Sequence, residues 1–433
     1  MEVVFTEDIL EVSCGLDVHK EMVVACIISK QEPSVKTKNP LLIEIKTFKT
    51  LPDDLAHLKR WIEDHGCHDV AMESTGVYWC PIYDVLETAF GGNINILVVN
   101  ARHMHNTPGK KSDIKDAQWI SKLLRAGLLE GSFIPEAAIR DLRDLTRYRK
   151  HITEDITTQK NRIEKFLQRK GFKISTFLSD VFGVSGRNLL SILTGKGEIT
   201  PDDIRNELRG TAKRKTEEML YALNGRLDLN SRQYLSRMLE MLDSQLSHLK
   251  DIEADIDSEA SAFNPQIELL RTVPGIGETA AKAIIGEIGV DLSKFPTVAQ
   301  FCSWAGLAPG ENESAGKKKS TRVNFGDPYI KSIMCECAWG MIRTKDSYLS
   351  KFYWKLRVRS GSQKAVVAVA RKMFTVIFFM LKNNEVYSEA HYEEAKKKYE
   401  ESRKRKLFAE ASKLGFILTP AGLPDVKSEE LVG

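Results

Sequence analysis

The sequence lacks patterned cysteines, a long uninterrupted apolar run and a large net charge. Its seven cysteines contain no Cys-x-x-Cys pair, and such an odd, unpatterned set argues for a reducing cytoplasm and against a zinc site. The longest apolar stretch, Ala365 to Leu381, is interrupted by Arg371 and Lys372. A membrane helix needs roughly 20 mostly apolar residues, so we predict a buried amphipathic helix there and no membrane partner. The N-terminus also lacks the basic-then-apolar order of a signal peptide.

The charged residues are almost balanced, with 63 Lys and Arg against 59 Asp and Glu and a net charge of +4. This composition permits nucleic-acid binding without requiring it, so the local distribution of charge matters more than the total. A chain of 433 residues is long enough for two or three domains with hydrophobic cores.

Roughly the first 130 residues alternate patterns that are typical of strands and helices. Strands are predicted at Val12–Val18, Val23–Ile28, Leu41–Phe48, in the run that ends at Glu73, and at Ile94–Val99. Helices are predicted at Asp53–His65, Pro81–Phe90 and Asp113–Leu129. A meander of strands followed by alternating strands and helices indicates a mixed α/β sheet flanked by helices.

Two long segments between Ile139 and Phe263 carry apolar residues at helical spacing. They predict two long amphipathic helices that form an antiparallel or intersubunit coiled coil, with short helices between them. A plain structural bundle and a dedicated dimer or RNA interface both remain open for this region. The periodic residues are Leu142, Leu145, Tyr148, Ile152, Ile156 and Ile163 in the first helix, and Leu235, Met238, Leu242, Leu246 and Leu249 in the second.

A helix end, a tight Gly-x-Gly turn and the start of a second helix are predicted within 271–280. In such a helix–hairpin–helix motif, Gly275 and Gly277 would let backbone N–H groups at a helix N-terminus meet a phosphate. The alternative is a tight turn between helices without a ligand. The tail after Asn383 is charged and contains the basic runs Lys396–Lys398 and Arg403–Lys406, which are typical of a solvated surface and compatible with nucleic-acid contact.

Four acidic residues lie at the ends of predicted elements: Asp17, Glu73, Asp113 and Asp116. A carboxylate at the end of an apolar segment is costly to bury unless a cation meets it, and carboxylates at i and i+3 share one face of a helix. Oxygen clusters of this kind bind hard divalent cations that act on phosphodiesters. We predict a metal site, with surface carboxylates as the alternative. We expect His19 to support the site rather than to bind the metal, and the lysines beside it to contact phosphates.

A serine precedes a lysine run in the Gly-rich segment Trp304–Ser320, which we expect to be a mobile, electropositive loop. Ser314 could attack a phosphorus atom to form a phosphoserine, and nearby cations would stabilise the charge of the transferring group. Ser320 is a competing candidate, and a plain loop serine remains open.

Lysines and arginines cluster again between Lys355 and Lys372, directly after the aromatic residues Phe352, Tyr353 and Trp354. Such a cluster suits phosphate neutralisation together with stacking on unpaired bases. The alternative is that the aromatic residues belong to the core.

Taken in order along the chain, these motifs resemble the DEDD transposases of the insertion-sequence one-ten (IS110) family. The likeness covers nearly the whole chain, and the ordered combination is specific although no single motif is. The motifs are Gly15-Leu16-Asp17-Val18-His19-Lys20, Glu73-Ser74-Thr75-Gly76, Lys111-Ser112-Asp113-Ile114-Lys115-Asp116-Ala117, Pro274-Gly275-Ile276-Gly277, Ala305-Gly306-Leu307-Ala308-Pro309 and Glu313-Ser314-Ala315-Gly316-Lys317.

The resemblance implies four regions and a set of catalytic residues. They are a RuvC-like, RNase H-type α/β domain at 1–138, a helical coiled-coil region at 139–263, a mainly helical transposase domain at 264–385 that contains the helix–hairpin–helix motif, and a charged tail at 386–433. Asp17, Glu73, Asp113 and Asp116 match the acidic tetrad that holds Mg²⁺, for which Mn²⁺ can substitute. Ser314 matches the nucleophilic serine of the family.

The resemblance also implies partners: donor and target DNA, a structured bridge RNA that guides recombination, and a second copy in a dimer or tetramer. It implies a location in the prokaryotic cytosol or nucleoid. Two other functions remain open, a metal-dependent nuclease that resembles a Holliday-junction resolvase and a catalytically silent nucleic-acid-binding derivative. The residues expected to contact nucleic acid are Lys110, Lys111, Gly275, Gly277, Lys317, Lys318, Lys319 and Arg322.

Overall fold

The computed structural model describes residues 9–31, 41–74, 76–100, 112–195, 200–223, 227–310, 312–314, 317–320, 323, 325–345 and 347–418. The chain forms two compact units, Met1–Ile134 and Pro135–Gly433. Within the described ranges, no helix is long and apolar enough to cross a membrane. The division into four regions stays a prediction.

The described part of the first unit is built on a five-stranded sheet in the order β3-β2-β1-β4-β5. Neighbouring strands run antiparallel from β1 to β3, whereas β4 runs parallel to β1 and β5 runs parallel to β4. The predicted mixed sheet and the predicted strands are confirmed. The strands are β1 (Val12–Val18), β2 (Met22–Lys30), β3 (Leu41–Lys49), β4 (Asp69–Glu73) and β5 (Asn95–Val99).

Helices cover both faces of this sheet. On one face, Leu16 of β1 is fully buried with Leu58 and Leu86 of the first two helices. On the other face, Ala71 of β4 is buried with Ile120 of the third helix. The first unit therefore has three layers, with the sheet between helices. The helices are α1 (Pro52–Asp64), α2 (Trp79–Leu86) and α3 (Asp113–Arg125).

Two of these helices end earlier than the sequence predicts. The helix predicted up to Phe90 stops at Leu86, because Phe90 takes a φ of +51° while its ring stacks on His68 with centroids 3.9 Å apart. The helix predicted up to Leu129 stops at Arg125. There Gly127 has a φ of +67° and the backbone N–H of Leu128 donates to the carbonyl of Leu123, which closes the helix in a Schellman motif.

The second unit begins with a pair of long antiparallel helices, α4 (Ala137–Arg169) and α8 (Leu229–Ala260). Gln159 Nε2 donates to the Met238 carbonyl at 2.9 Å, and one end of the pair is joined by Tyr148 and His248. Early residues of α4 thus meet late residues of α8, so the predicted antiparallel pairing occurs within one chain. Short helices lie between them as predicted: α5 (Val184–Thr194), α6 (Pro201–Glu207) and α7 (Thr216–Ala222).

The rest of the second unit is mainly helical, with one short β-hairpin among its described residues. The apolar stretch before Leu381 forms a helix with buried Val369, Phe374 and Ile377, which confirms the predicted buried amphipathic helix. The elements are α9 (Asn264–Arg271), α10 (Glu278–Ile288), α11 (Val298–Trp304), β6 (Asn312–Ser314), β7 (Lys317–Ser320), α12 (Pro328–Ile342), α13 (Tyr348–Ser360), α14 (Ser362–Asn383) and α15 (Ala390–Lys413).

Candidate metal centre

The close packing of β1 against α3 positions the centre. Ser13, Gly15 and Asp17 share the face of β1 that α3 covers, because successive strand side chains point to opposite faces. Ser13 Oγ lies 2.9 Å from Ser121 Oγ of α3, and a Cβ at Gly15 would overlap the Ala117 carbonyl oxygen. The missing side chain of Gly15 therefore lets α3 approach β1, and this contact brings the first turn of α3 towards Asp17.

The start of α3 is fixed by its N-cap residue, Ser112. The Ser112 hydroxyl accepts a hydrogen bond from the backbone N–H of Lys115 at 3.4 Å, so Asp113 and Asp116 fall in the first turn. Carboxylates are favoured there by the free N–H groups and the positive end of the helix dipole. The local sequence thus places two acidic groups at the helix end that faces Asp17.

Asp17, His19 and Asp113 form the centre itself. His19 Nε2 lies 3.1 Å from Asp17 Oδ2 and 3.7 Å from Asp113 Oδ2. One ligand atom from each residue lies within 4.8 Å of the others, and among the described residues this is the one such group of three. Carboxylate oxygens are the ligands that Mg²⁺ prefers, so Asp17 and Asp113 fit the predicted metal, whereas the imidazole of His19 is better suited to a supporting hydrogen bond.

The electrostatics of Asp17 also fit a bound cation. Asp17 is only 7% exposed, and burial raises the pKa of its carboxyl group. The negative charges of Asp113 and Asp116 raise this pKa further, whereas the hydrogen bond and positive charge of His19 oppose the increase. Crowded carboxylates in a partly buried place are costly without a counter-charge, which a divalent cation would provide.

Glu73 and Asp116 lie on the two elements, β4 and α3, that pack against β1. Glu73 ends β4, one position beyond the paired residues Leu16 and Met72, and shares the face of Ala71 that packs on α3. Asp116 lies one helical turn after Asp113 and is close enough to influence the pKa of Asp17. The role of all four acidic residues as metal ligands stays a prediction.

The segment that carries Ser314 is a two-stranded hairpin rather than the predicted loop. The backbones of β6 and β7 pair with Ser314 opposite Lys317 and Glu313 opposite Lys318. Strand pairing satisfies backbone groups that a loop would leave to water, and this replaces the expectation of a mobile loop. The competitor Ser320 pairs with Asn312 at the other end of the hairpin. The side chains of Lys317, Lys318 and Lys319 lie outside the described part of the structure, as do Lys110, Lys111 and Arg322.

Buried contacts fix the chain on both sides of this hairpin. Before and after it, Gly306 and Gly326 approach so closely that a Cβ on Gly326 would overlap the Gly306 backbone. The next residue, Asp327, caps α12 and pairs with Arg147 of α4 at 3.0 Å. Arg147 also binds both carboxylate oxygens of Glu287, at 2.7 and 2.6 Å. The chain that follows the hairpin is therefore linked to α4 and α10 through Asp327 and Arg147.

The two glycines of the predicted helix–hairpin–helix turn differ in their surroundings. Gly275 has a φ of +90°, and a Cβ there would lie 2.5 Å from the Met341 backbone nitrogen, so this glycine allows the turn to pack against α12. Gly277 is the N-cap of α10, and a Cβ there would meet no atom within 4 Å. Phosphate contact at either glycine stays a prediction.

The second unit also contains a cavity of about 590 Å³ lined by both signs of charge. Two of its carboxylates are already paired with one cation, because Lys282 Nζ lies 2.6 Å from Asp257 Oδ1 and 2.5 Å from Glu278 Oε1. These pairs compensate the charge that a metal would otherwise neutralise, so the first unit offers the better metal centre.

A carboxylate pair with an imidazole lies at the C-terminal end of the central strand of a mixed sheet that helices cover. This arrangement defines an α/β protein with a candidate divalent-metal centre. A family model described as a transposase, of the IS110 DEDD type, matches residues 14–171. A second model, described as transposase IS116/IS110/IS902 family, matches residues 267–354. Together the two models match more than half of the sequence. The chain belongs to the IS110 family of transposases, as the sequence motifs predict.

Curated relatives agree with this assignment. The transposase for insertion sequence element IS1111A of Coxiella burnetii is 23% identical over 336 residues, which cover 74% of this chain and 79% of the relative. The transposase for insertion sequence element IS1533 of Leptospira borgpetersenii is 27% identical over 343 residues, covering 76% and 85%. Among solved structures, Thermus thermophilus RuvC matches 28% of this chain and 99% of its own at 12% identity, with a TM-score of 0.21.

The strand order and directions of the first unit are those of the expected RuvC-like, RNase H-type fold. His19, which we expect to support the site rather than to bind the metal, lies 3.1 Å from Asp17 and 3.7 Å from Asp113. Its proximity to Asp17 could be predicted from the sequence, because Asp17 and His19 are two residues apart at the end of a strand and so point to the same side. The close contact between Gly15 and the backbone of α3 could not be predicted from the sequence, because it depends on where α3 packs.

Proposed function

We propose that this protein is an Mg²⁺-dependent DNA transposase that cuts and rejoins donor and target strands through a phosphoserine on Ser314. The observation that carries the proposal is the convergence of Asp17, His19 and Asp113 in a chain of the IS110 transposase family. Neither the fold nor the family name alone carries the proposal, because function resides in the site.

The acidic tetrad Asp17, Glu73, Asp113 and Asp116 would hold the cation, and Mn²⁺ could replace Mg²⁺ there. When bound, such a cation stabilises negative charge on the transferring phosphoryl group and orients its oxygens. Asp17 supplies the least exposed carboxylate of the tetrad on a rigid strand. His19 donates a hydrogen bond to Asp17, which orients the carboxylate in the way that outer partners commonly orient metal ligands.

The serine divides the reaction into two exchanges of one bond each. In the first, a bond forms between Ser314 Oγ and phosphorus while the bond from phosphorus to the leaving strand breaks, and the serine proton ends on the oxygen of that strand. In the second, the hydroxyl of the new strand attacks the phosphoserine and the proton returns to Ser314. No oxidant or high-energy cofactor is consumed, because each step replaces one phosphate ester with another.

The proposal includes the partners of the reaction. Donor and target DNA are the substrates, and a structured RNA encoded by the element selects them by base pairing. Exchange between two DNA molecules needs more than one phosphoserine, which supports a dimer or tetramer. We infer a cytosolic location, because all seven cysteines are free, as expected in a reducing compartment.

A recombination assay with purified protein, donor and target plasmids, Mg²⁺ and RNA transcribed from the flanks of the element tests this function. Asp113→Asn should lower the rate about a hundredfold or more, the order lost with one group that stabilises the transition state. Asp53→Asn is the matched control, since Asp53 also lies in the first turn of a helix but outside the centre. Equal rates for the two variants would contradict the metal role, and full activity without RNA would contradict guidance.

A further inference from the structure

The segment from Ser347 to Asn384 has an unusual charge distribution. These residues include eight Lys and Arg and no Asp or Glu, although acidic residues make up 59 of the 433 in the whole chain. The segment covers α13, α14 and the turn between them. Such a local excess of positive charge attracts polyanions even when the net charge of the protein is small.

One face of α13 is exposed and the opposite face is buried. Leu349 and Tyr353 are buried, whereas Trp354 is 52% exposed and Val358, one turn further along, is 92% exposed. Lys355, Arg357 and Arg359 are exposed on the same helix. An apolar patch bordered by cations is costly in water unless a partner covers it.

The aromatic rings of this surface are held in place. Tyr353 lies 5.3 Å from Trp354 and 5.9 Å from Trp339 of α12 between ring centroids, and its hydroxyl is 2.9 Å from Ser362 Oγ. Trp339 is itself 43% exposed. Two exposed indole rings are therefore fixed on either side of one buried tyrosine, which limits the entropy lost when a flat ligand stacks on them.

The surroundings of Trp354 favour an anionic ligand with a flat ring. The guanidinium carbon of Arg357 lies 4.9 Å from the centroid of Trp354, so one group can neutralise a phosphate beside a stacked ring. The acid nearest in sequence to Trp339 of α12 is Glu336, which accepts a hydrogen bond from Ser332 at 3.2 Å. In the sequence of α13 and α14 no acid is present to repel a phosphate chain.

We propose that the exposed face of α13 is a binding site for single-stranded nucleic acid, with an unpaired base stacked on Trp354 and phosphates neutralised by Lys355, Arg357 and Arg359. Single strands fit better than a duplex, because a base must leave its pair before its face can reach an indole ring. This inference rests on the proposed function only in assuming that the protein encounters nucleic acid. It requires neither the metal centre nor Ser314.

Fluorescence anisotropy of the full-length protein with labelled oligonucleotides of about 16 nucleotides tests the site. EDTA is present throughout, so failure of the catalytic proposal leaves this measurement unaffected. Trp354→Ala should weaken single-strand binding roughly 5- to 150-fold, the contribution of one stacked base, and leave duplex binding unchanged. Trp354→Phe should restore most of the affinity. Tyr221→Ala, at another exposed aromatic side chain, is the control.

The charged residues give an independent readout. Replacing both Arg357 and Arg359 with Gln should reduce the dependence of log affinity on log salt by about one per residue, while Trp354→Ala leaves that slope unchanged. Parallel DNA and RNA oligonucleotides of one sequence show which strand is preferred, and a preference for either supports the site. Unchanged affinity of a folded Trp354→Ala protein would overturn the proposal. A change in oligomeric state without a change in affinity would also overturn it and assign the surface to contact between copies.

Discussion

Gly15 is the residue on which the candidate metal centre depends most directly. Any side chain there would meet the backbone of α3 at Ala117 and Ser121, and α3 carries Asp113. Asp17 and Asp113 come from different elements, so their distance is set by this contact rather than by either element alone.

We predict that Gly15→Ala separates the two carboxylates. Overpacking of this kind costs about 1–3 kcal/mol, so the protein should remain folded, while affinity for Mn²⁺ should fall about 10- to 100-fold. Isothermal titration with Mn²⁺ measures this change. Gly277→Ala is the control, because its added methyl group meets open space. Wild-type affinity in a folded Gly15→Ala protein would show that the centre does not depend on the approach of α3.

Arg147 joins three helices through a carboxylate that is almost fully buried. Glu287 is 1% exposed, and it accepts two hydrogen bonds from Arg147 while the same guanidinium reaches Asp327. Removing Arg147 leaves this buried charge with only the more distant guanidinium of Arg143, whose Nε lies 3.5 Å from Glu287 Oε2.

We therefore predict that Arg147→Ala lowers the free energy of unfolding by about 3–5 kcal/mol. Arg149→Ala is the matched control on the same helix, since Arg149 pairs with the more exposed Glu253 and should contribute about 1 kcal/mol or less. Urea unfolding followed by circular dichroism measures both values. A similar decrease in the free energy of unfolding in both variants would mean that the burial of Glu287 does not increase the contribution of its ion pair to stability.

At the scale of elements, the long helix α8 depends on its N-cap. Asp228 accepts hydrogen bonds from the backbone N–H and the hydroxyl of Ser231, and Lys170 lies 3.4 Å away. These contacts, led by the backbone hydrogen bond, lower the pKa of Asp228 from 3.8 to about 2. A carboxyl group with a lower pKa in the folded state stabilises the fold above its unfolded pKa.

The contribution of Asp228 to stability should thus be complete above pH 4 and be lost as the pH falls from about 4 to about 2. Thermal unfolding at several pH values tests this. Asp228→Asn keeps a capping side chain without the titrating charge, so its melting temperature should fall less than that of the wild type over this range. Asp251→Asn, at an exposed position on the same helix, should follow the wild type. Parallel curves for wild type and Asp228→Asn would contradict the capping account.

Two glycines in the turn before α10 have different surroundings, so their substitution can distinguish a role in packing from a role in ligand binding. Gly275→Ala should lower the melting temperature, because the added methyl group would approach the backbone of α12 from a left-handed conformation. Gly277→Ala should lower it less, because the added methyl group meets open space and only a less suitable N-cap residue is introduced. If Gly277→Ala alone weakens DNA binding in a filter assay, the turn contacts phosphate. Equal melting temperatures for the two variants would show that Gly275 does not serve packing.

The elements with strong periodicity could be predicted from the sequence, and the others could not. Alternation in β1 and the seven-residue spacing in α4 are local properties, so both elements appear where the pattern puts them. The end of α2 depends on the stacking of Phe90 on His68, a contact between residues far apart in sequence. The hairpin of β6 and β7 was missed because its short strands are polar and lack the apolar alternation that identifies a buried strand.

The candidate site shows the same limit. The acids at the ends of β1 and β4 and at the start of α3 are visible in the sequence because each lies at an element boundary. Their meeting is not visible, since it requires the close approach at Gly15 and the parallel register of β1 and β4.

At the scale of the whole molecule, near neutrality conceals a strong local separation of charge. The net charge is only +4, yet the segment from Ser347 to Asn384 contains no acidic residue and carboxylates cluster around Asp17. Phosphate backbones would be drawn to the first, and a divalent cation would be required at the second. This distribution is what a metal-dependent enzyme that handles nucleic acid needs.

The most direct test of the central claim is covalent trapping of the wild-type protein, Ser314→Ala and Asp113→Ala on labelled donor and target DNA, with Mg²⁺ and the flanking RNA. We predict a denaturation-resistant protein–DNA adduct in the wild type that disappears with Ser314→Ala, with Asp113→Ala and without RNA. Cleavage with no adduct, unaffected by Ser314→Ala but abolished by Asp113→Ala, would contradict the phosphoserine and make this protein a metal-dependent nuclease.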